Sequence, residues 1–365
     1  MDTVIFSFVT SFIVVLFATP PLITVAKMKN LVDEPNDERK LHKSRIPTIG
    51  GIIIFAAALF AFALWFPAGK IDTYKELLES TNDLKYIVAT IILLFFIGIK
   101  DDIIGTAPMK KLIAHIIVGL VLVLMANVRL TSMYGLFGVY ELPDWASIIL
   151  SLFTYIVIVN AFNLIDGVDG LAAGVGFIVC LSFGIWFFLV GDQVLTALSF
   201  SLGGALLGFL IFNFYPAKIF MGDSGSLTIG LIVSILAIKL IEYDTSTLQT
   251  SFAMISKPVF VIAVLMYPLF DTLRIFIYRA INGNSPFAAD KNHIHHRLID
   301  TGLTQRQTTL LIYIVNVCLI FVAIFMAGLD PSVALILLAV VAAALVFVPL
   351  LLRKRSVKFP KPQAS

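Results

Sequence analysis

The chain has 365 residues, of which 59% are hydrophobic and only 13% charged, with a formal net charge of +3. Its mean hydropathy of +0.99 excludes an ordinary soluble domain and points to an all-α polytopic integral membrane protein. Cys180 and Cys318 both sit in apolar runs and suggest neither a disulfide nor a zinc site.

A membrane-crossing helix needs roughly 20 apolar residues. On that rule the chain divides into eleven spans, at 4–26, 49–66, 85–100, 110–127, 146–162, 170–190, 194–213, 225–242, 257–278, 308–327 and 331–352. The chain begins Met1-Asp2, without the basic start of a cleaved signal peptide, so the first span is expected to be retained. Pro20-Pro21 should kink the first span and Pro268 the ninth. Gly191-Asp192-Gln193 and Gly328-Leu329-Asp330 read as tight turns between antiparallel helices. The expected organisation is one membrane-embedded domain over 1–365, ending in a basic tail at 353–365.

Charge orients the bundle. With the N-terminus outside, 20 of the 26 Lys and Arg fall on the cytoplasmic side, in 27–48, near 100–111, at Lys218, in 274–306 and after 352. The other 6 are Lys70, Lys75, Lys85, Arg129, Lys239 and Lys257. This asymmetry is the positive-inside pattern and places the C-terminus in the cytoplasm.

The same orientation gathers the polar clusters on one face. The first inner loop carries His42, Lys43 and Arg45, then Gly50-Gly51, a pair suited to close helix packing. The second reads Lys100-Asp101-Asp102, followed by Lys110 and Lys111. Adjacent aspartates at a helix end repel each other and face an unfavourable dipole, so a cation or Lys should offset them. The third reads Asn160-Ala-Phe-Asn163-Leu-Ile-Asp166-Gly-Val-Asp169-Gly-Leu171. One Asp there would satisfy a helix cap; two Asp and two Asn in so short a stretch exceed that need.

The fourth loop runs from Asn213 to Ser226. Gly222-Asp223-Ser224-Gly225 there is a helix start whose backbone N–H groups suit phosphate and whose carboxylate suits Mg²⁺. Phe220 could stack on a base or simply pack at the membrane interface. The fifth loop carries Arg279 and Ser285-Pro286-Phe287, then His293-Ile-His295-His296-Arg297. Zinc is one reading of three histidines, but no Cys or second His pair completes a tetrahedral set. Phosphate contact by imidazoles and Arg297 suits them better. Asp271 could join the site or pair with Arg274, and His115 reads as satisfied packing on an apolar helix. Hard oxygen donors without sulfur select Mg²⁺, with Mn²⁺ as a substitute, and imply phosphoryl transfer at the membrane surface.

Together these motifs resemble the polyprenyl-phosphate N-acetylhexosamine-1-phosphate transferases. The residues that carry the resemblance are Asp101-Asp102, Asn163 to Leu171, Phe220 to Ser226 and His293 to Leu298, in that order over about 39–300. The Ser285-Pro286-Phe287 stretch and the His cluster look like the branch that loads GlcNAc-1-phosphate. They look less like the branch that loads phospho-MurNAc-pentapeptide. His115 departs from the pattern, since relatives often carry Gln there.

The resemblance implies that a UDP-sugar and polyprenyl phosphate yield a polyprenyl-diphosphate-sugar and UMP, at a bacterial plasma membrane. It implies Asp223, with Asp166, as Mg²⁺ ligands. It puts Asn163, Asp166, Asp169, Asn213 and Phe220 on the uridine and sugar side. His295, His296 and Arg297 would hold the diphosphate, with His293, Arg279 and Lys111 as further substrate contacts. Asp101 and Asp102 would lie beside the attacking phosphate, and His42, Lys43 and Arg45 at the lipid headgroup. Nucleic acid is not an expected partner; a homodimer is compatible with the family. Two other classes compete: a cation-coupled transporter and a CDP-alcohol phosphotransferase. The first should hold its acids near the midplane, and the second should pack them into one continuous run.

Overall fold

The computed structural model describes residues 2–33, 45–67, 74–245, 254–281, 283 and 293–353. His42, Lys43, Ser285-Pro286-Phe287 and the tail from 354 lie outside the described residues. The helices are α1 (Asp2–Met28), α2 (Gly50–Leu64), α3 (Tyr74–Ile104), α4 (Pro108–Leu124), α5 (Asp144–Ile165), α6 (Leu171–Val190), α7 (Gln193–Asn213) and α8 (Gly222–Glu242). They continue as α9 (Lys257–Val264), α10 (Met266–Ile281), α11 (Ile294–Asp300), α12 (Gln305–Phe325) and α13 (Pro331–Arg353). Two short strands, β1 (Val32–Asp33) and β2 (Ile46–Pro47), pair antiparallel.

Every expected span overlaps a helix. Among the described residues, α1, α5, α6, α7, α8 and α12 are long and apolar enough by length and composition to cross a membrane. The pair α9 and α10 makes a seventh when taken as one bent span. The chain is therefore a multi-pass membrane protein, while the count of eleven stays an expectation. The third span is less brief than its apolar stretch, since α3 runs from Tyr74 to Ile104. Good helix formers such as Glu76, Leu77 and Leu78 let the helix continue beyond the hydrophobic stretch.

α8 is the centre of the bundle. Its span window is 94% buried, as expected for a helix that is apolar all round. α2, α3, α5 and α6 pack directly on it, and α7 joins α1, α2 and α6. Close approach sets the crossing near its N-terminus. A Cβ on Gly51 would come within 2.1 Å of the Gly225 nitrogen, and one on Gly98 within 2.5 Å of the Ser224 Cα. Small residues thus let α2 and α3 touch the backbone of α8 at its first turn.

The turns behave as their residues require. Gly191 closes α6 in the left-handed region, and the Asp192 carboxylate then caps α7 by accepting from Leu195 N–H at 2.9 Å. α1 continues through Pro20 and Pro21. The ninth span is broken between α9 and α10 by a 77° bend at Leu265. The cause lies three residues on, at Pro268, whose ring would crowd the carbonyl of Val264 and which cannot donate to it. Asn316 on α12 takes over, its Nδ2 donating to the Val264 carbonyl at 3.2 Å.

Candidate active site

The site starts from the glycines just described. Because Gly98 lets α3 lie against the start of α8, the next turn of α3 delivers Asp101 and Asp102 there. The Asp102 carboxylate accepts from the backbone N–H of Asp223 at 2.6 Å and of Ser224 at 3.0 Å. It is a cap supplied by a neighbouring helix, and α8 has no side-chain cap of its own. Gly222 makes this geometry possible. Its φ of +72° suits glycine alone, and a Cβ there would lie 2.2 Å from the Thr48 carbonyl and 2.7 Å from Asp102.

The cap fixes Asp223. Asn163 Nδ2 donates to Asp223 Oδ1 at 2.8 Å and to Ser226 Oγ at 2.9 Å. The Lys111 ammonium bonds Asp223 Oδ2 and lies 3.2 Å from Asp101 Oδ2. Two carboxylates from different helices therefore converge on one cation, which offsets their repulsion. Burial pushes the Asp101 carboxyl up, but its hydrogen bond with Asp223 and the Lys111 charge outweigh that and hold it below the usual carboxylate range. Asp102 is pushed up by burial. Asp166 is held well above the usual range, first by burial and then by the Asp223 and Asp102 charges, although it accepts from Gly222 N–H.

Two expected site residues act as braces for the loops. Asn213 Oδ1 accepts from Gly170 N–H at 3.1 Å and its Nδ2 donates to the Ile219 carbonyl at 2.9 Å. Asp169 Oδ2 accepts from Ala217 N–H at 2.9 Å. They tie the α5–α6 loop to the α7–α8 loop. Phe220 is held by its backbone, donating to the Pro47 carbonyl at 2.7 Å and accepting from Gly50 N–H at 3.0 Å.

A cleft of about 480 Å³ opens over these groups. Asp101, Lys111, Asn160, Asn163 and Asp166 form one side, and Arg279, His293, His295 and His296 face them. Asn213, Asp169, Phe220, Arg45, Arg297, Asp102 and Asp223 are not among its lining residues; Asp223 is tied to the cleft through Lys111 and Asn163, and Asp102 through the backbone of Asp223. The histidines stack closely, with the His293 and His295 rings 5.2 Å apart and nearly parallel. Burial pushes His295 down to about 3, so its ring is neutral across the physiological range. His115 also borders the cleft, its Nδ1 3.4 Å from the Tyr155 hydroxyl.

Asp271 and Tyr267 belong to the supports of this site. Tyr267 was not singled out by the sequence and Asp271 was left open there; ionisable groups inside an apolar helix were the available signal. Tyr267 Oη lies 3.3 Å from His295 Nδ1, and Asp271 Oδ2 lies 2.8 Å from His293 Nδ1.

Among the described residues no group of three or more His, Cys, Asp or Glu forms a ready metal cage. Mg²⁺ does not need one, since it is held by one or two carboxylates together with substrate phosphates. Asp101 and Asp223, hard oxygen donors already converging on a cation, fit that requirement.

The glycosyl transferase family 4 pattern matches residues 84–241. The chain is 34% identical over 363 residues to the decaprenyl-phosphate N-acetylglucosaminephosphotransferase of Mycobacterium tuberculosis, covering 94% of this chain and 88% of that protein. It is 33% identical over 319 residues to a Bacillus subtilis protein named probable undecaprenyl-phosphate N-acetylglucosaminyl 1-phosphate transferase, covering 87% and 83% of the two chains. The undecaprenyl-phosphate alpha-N-acetylglucosaminyl 1-phosphate transferase of Escherichia coli K12 is 31% identical over 293 residues, with 79% and 74% covered.

Proposed function

The chain belongs to this family of polyprenyl-phosphate N-acetylglucosamine-1-phosphate transferases, and from that premise we propose that it moves GlcNAc-1-phosphate from UDP-GlcNAc to undecaprenyl phosphate, releasing UMP. The observation that carries the reading is the convergence of Asp101, Lys111, Asn163 and Asp223 opposite the histidines across one cleft. A soluble anionic donor and a lipid acceptor can meet only at such a polar cleft on the face of a membrane bundle. The acids gather at one helix end and come from several loops, which favours this reading over a transporter and over a CDP-alcohol phosphotransferase.

Asp223 and Asp101 would hold Mg²⁺ against the donor diphosphate, and the ion would supply charge neutralisation at the transferring phosphoryl group. Asn163 and Lys111 orient Asp223. Lys111 is also the cation nearest the attacking phosphate once a metal neutralises the acids. Arg279 and the histidines form the opposite wall, where diphosphate oxygens find donors. An apolar cavity of about 240 Å³ lies further along α5, between Leu150, Phe153 and Val157 and the α9–α10 residues Val261, Leu265 and Leu269. Leu130, Met133 and Leu136 also line it and place it toward the far end of α5 from the cleft, so it suits the polyprenyl tail beyond its first units. The face holding the cleft would be cytoplasmic, as the basic residues dictate.

The test is a panel of UDP-sugars offered to the purified chain with undecaprenyl phosphate and Mg²⁺. UDP-GlcNAc should give the fastest transfer of label into organic-extractable lipid. Preference for UDP-MurNAc-pentapeptide would move the chain to the other branch of its family. Orientation has its own test, in which single cysteines at Ser285 and Thr247 meet an impermeant reagent outside intact cells. Only the Thr247 site should label; labelling at Ser285 would reverse the topology.

Asp101 lends itself to a pH experiment. Its carboxyl is held below the usual range, so it is ionised well before neutrality and is a poor match for a base working near pH 7. The acceptor, a phosphate monoester with second pKa about 6, is largely dianionic there without help. Asp101→Asn should therefore be slow at every pH from about 6 to 9, with a profile parallel to wild type. Steep recovery at the alkaline end would make Asp101 the base.

A further inference from the structure

Asp271 lies on α10, across the bend from the rest of the ninth span, and is fully buried. A carboxylate there must be matched by donors, and three are in place. His293 Nδ1 lies 2.8 Å from Oδ2, Ile294 N–H donates to Oδ1 at 2.8 Å, and an Arg274 terminal nitrogen lies 3.4 Å from Oδ1. Ile294 is the first residue of α11, so one side chain both orients a histidine and receives the backbone that starts the histidine helix. Arg274 brings a positive charge to Oδ1, and a carboxylate can only accept. The ring proton of His293 therefore sits on Nδ1, and Nε2 is the nitrogen left for the cleft that His293 borders. His295, stacked beside it, takes a different support, the Tyr267 hydroxyl.

We infer that Asp271 is the positioning residue of the histidine wall: its carboxylate holds His293 by Nδ1 and so fixes the ring orientation in which Nε2 shares a proton with a phosphate oxygen of the nucleotide. This rests on the reading of the cleft as the site of a uridine nucleotide. It differs from the ordinary view of a buried acid paired with Arg274 on its own helix, because two of its three contacts reach forward to His293 and Ile294. The partnership has the form of the carboxylate–imidazole pairs that fix a histidine tautomer in hydrolases and metal sites.

The variant that separates position from packing is Asp271→Asn. Its Oδ1 can still accept from Ile294 N–H, because turning the amide round would set two donors against each other. The carboxamide nitrogen then replaces Oδ2 and donates to His293 Nδ1. That reverses the contact at Nδ1 and drives the ring proton to Nε2, so the contact with phosphate loses the carboxylate behind it. UMP is the probe, titrated calorimetrically into the full-length detergent-purified protein with Mg²⁺. Wild type should bind UMP, and Asp271→Asn should bind it about tenfold more weakly, the scale of one charged hydrogen bond. His293→Gln should show the same loss, and the double variant should be no worse than either single one, because the two act as a unit. The melting temperature of Asp271→Asn should fall, because Arg274 loses this counter-charge, so UMP affinity is read well below the transition.

Equal UMP affinity in wild type and Asp271→Asn would overturn the inference while leaving the reading of the cleft intact. Additive losses in the double variant would do the same. Wild-type protein that binds no UMP would overturn both. If Asp271→Asn does not fold, His293→Gln carries the test alone, and wild-type UMP affinity in that variant would refute the role.

Discussion

Asp223→Asn is expected to cut turnover by on the order of 100-fold or more, the scale of losing one strong electrostatic contact at a transferring phosphoryl group. Asparagine keeps the shape, and the Asn163 amide can still donate to its oxygen. What disappears is the charge that Lys111 bonds and that, with Asp101, converges on the cation position. The loss should therefore appear in the metal dependence, with a higher Mg²⁺ concentration needed for half-maximal rate. Protein stability should change little, because asparagine keeps the bond from Asn163 and the capping of α8 by Asp102 uses the Asp223 backbone. An unchanged Mg²⁺ titration would move the metal to Asp101 or Asp166.

Asp102→Asn should be as damaging by a different route. The native carboxylate accepts two backbone N–H groups with two oxygens. Asparagine has one acceptor, so its amide nitrogen must face either Asp223 N–H or Ser224 N–H as donor against donor. One contact to a charged acceptor is lost, worth roughly 1.5–3 kcal/mol, at the turn where Gly51, Gly98 and Gly222 leave no room to adjust. The start of α8 should tilt and carry Asp223 with it. The expected outcome is a lower melting temperature together with a large fall in kcat, while the KM for UDP-GlcNAc changes less. Asp223→Asn should show the fall in kcat without the loss of stability. A variant at Asp102 with wild-type melting and a large rate loss would instead make Asp102 a direct substrate contact.

That contrast marks the boundary of what the amino-acid pattern could say. The helices were legible because apolar runs of membrane length repeat along the chain, and each expected span overlaps a helix. That several of the expected residues would share one cleft was legible because Asp, Asn and His are costly in lipid and cluster at loop ends. What spacing could not show was how adjacent acids divide their work. Asp101 meets Lys111, but Asp102 turns to the backbone of a helix more than a hundred residues away. Nor could it show that Asp169 and Asn213 brace the loops they lie in, since their partners are the backbone groups of Ala217, Gly170 and Ile219. The bend of the ninth span was expected at Pro268 and falls at Leu265, because the ring acts on the preceding turn. Asp271 could equally have joined the site or paired with Arg274 at three residues' distance; its contact with His293 depends on where the chain returns after the fifth loop.

The central claim is that the cleft transfers a sugar together with its phosphate. The nucleotide product reports this directly. Purified wild-type protein, incubated with UDP-GlcNAc, undecaprenyl phosphate and Mg²⁺, should release UMP in equal amount to the lipid-linked GlcNAc formed, with Asp223→Asn suppressing both together. Release of UDP with label in the lipid would mean that the sugar moves without its phosphate, and would contradict the account.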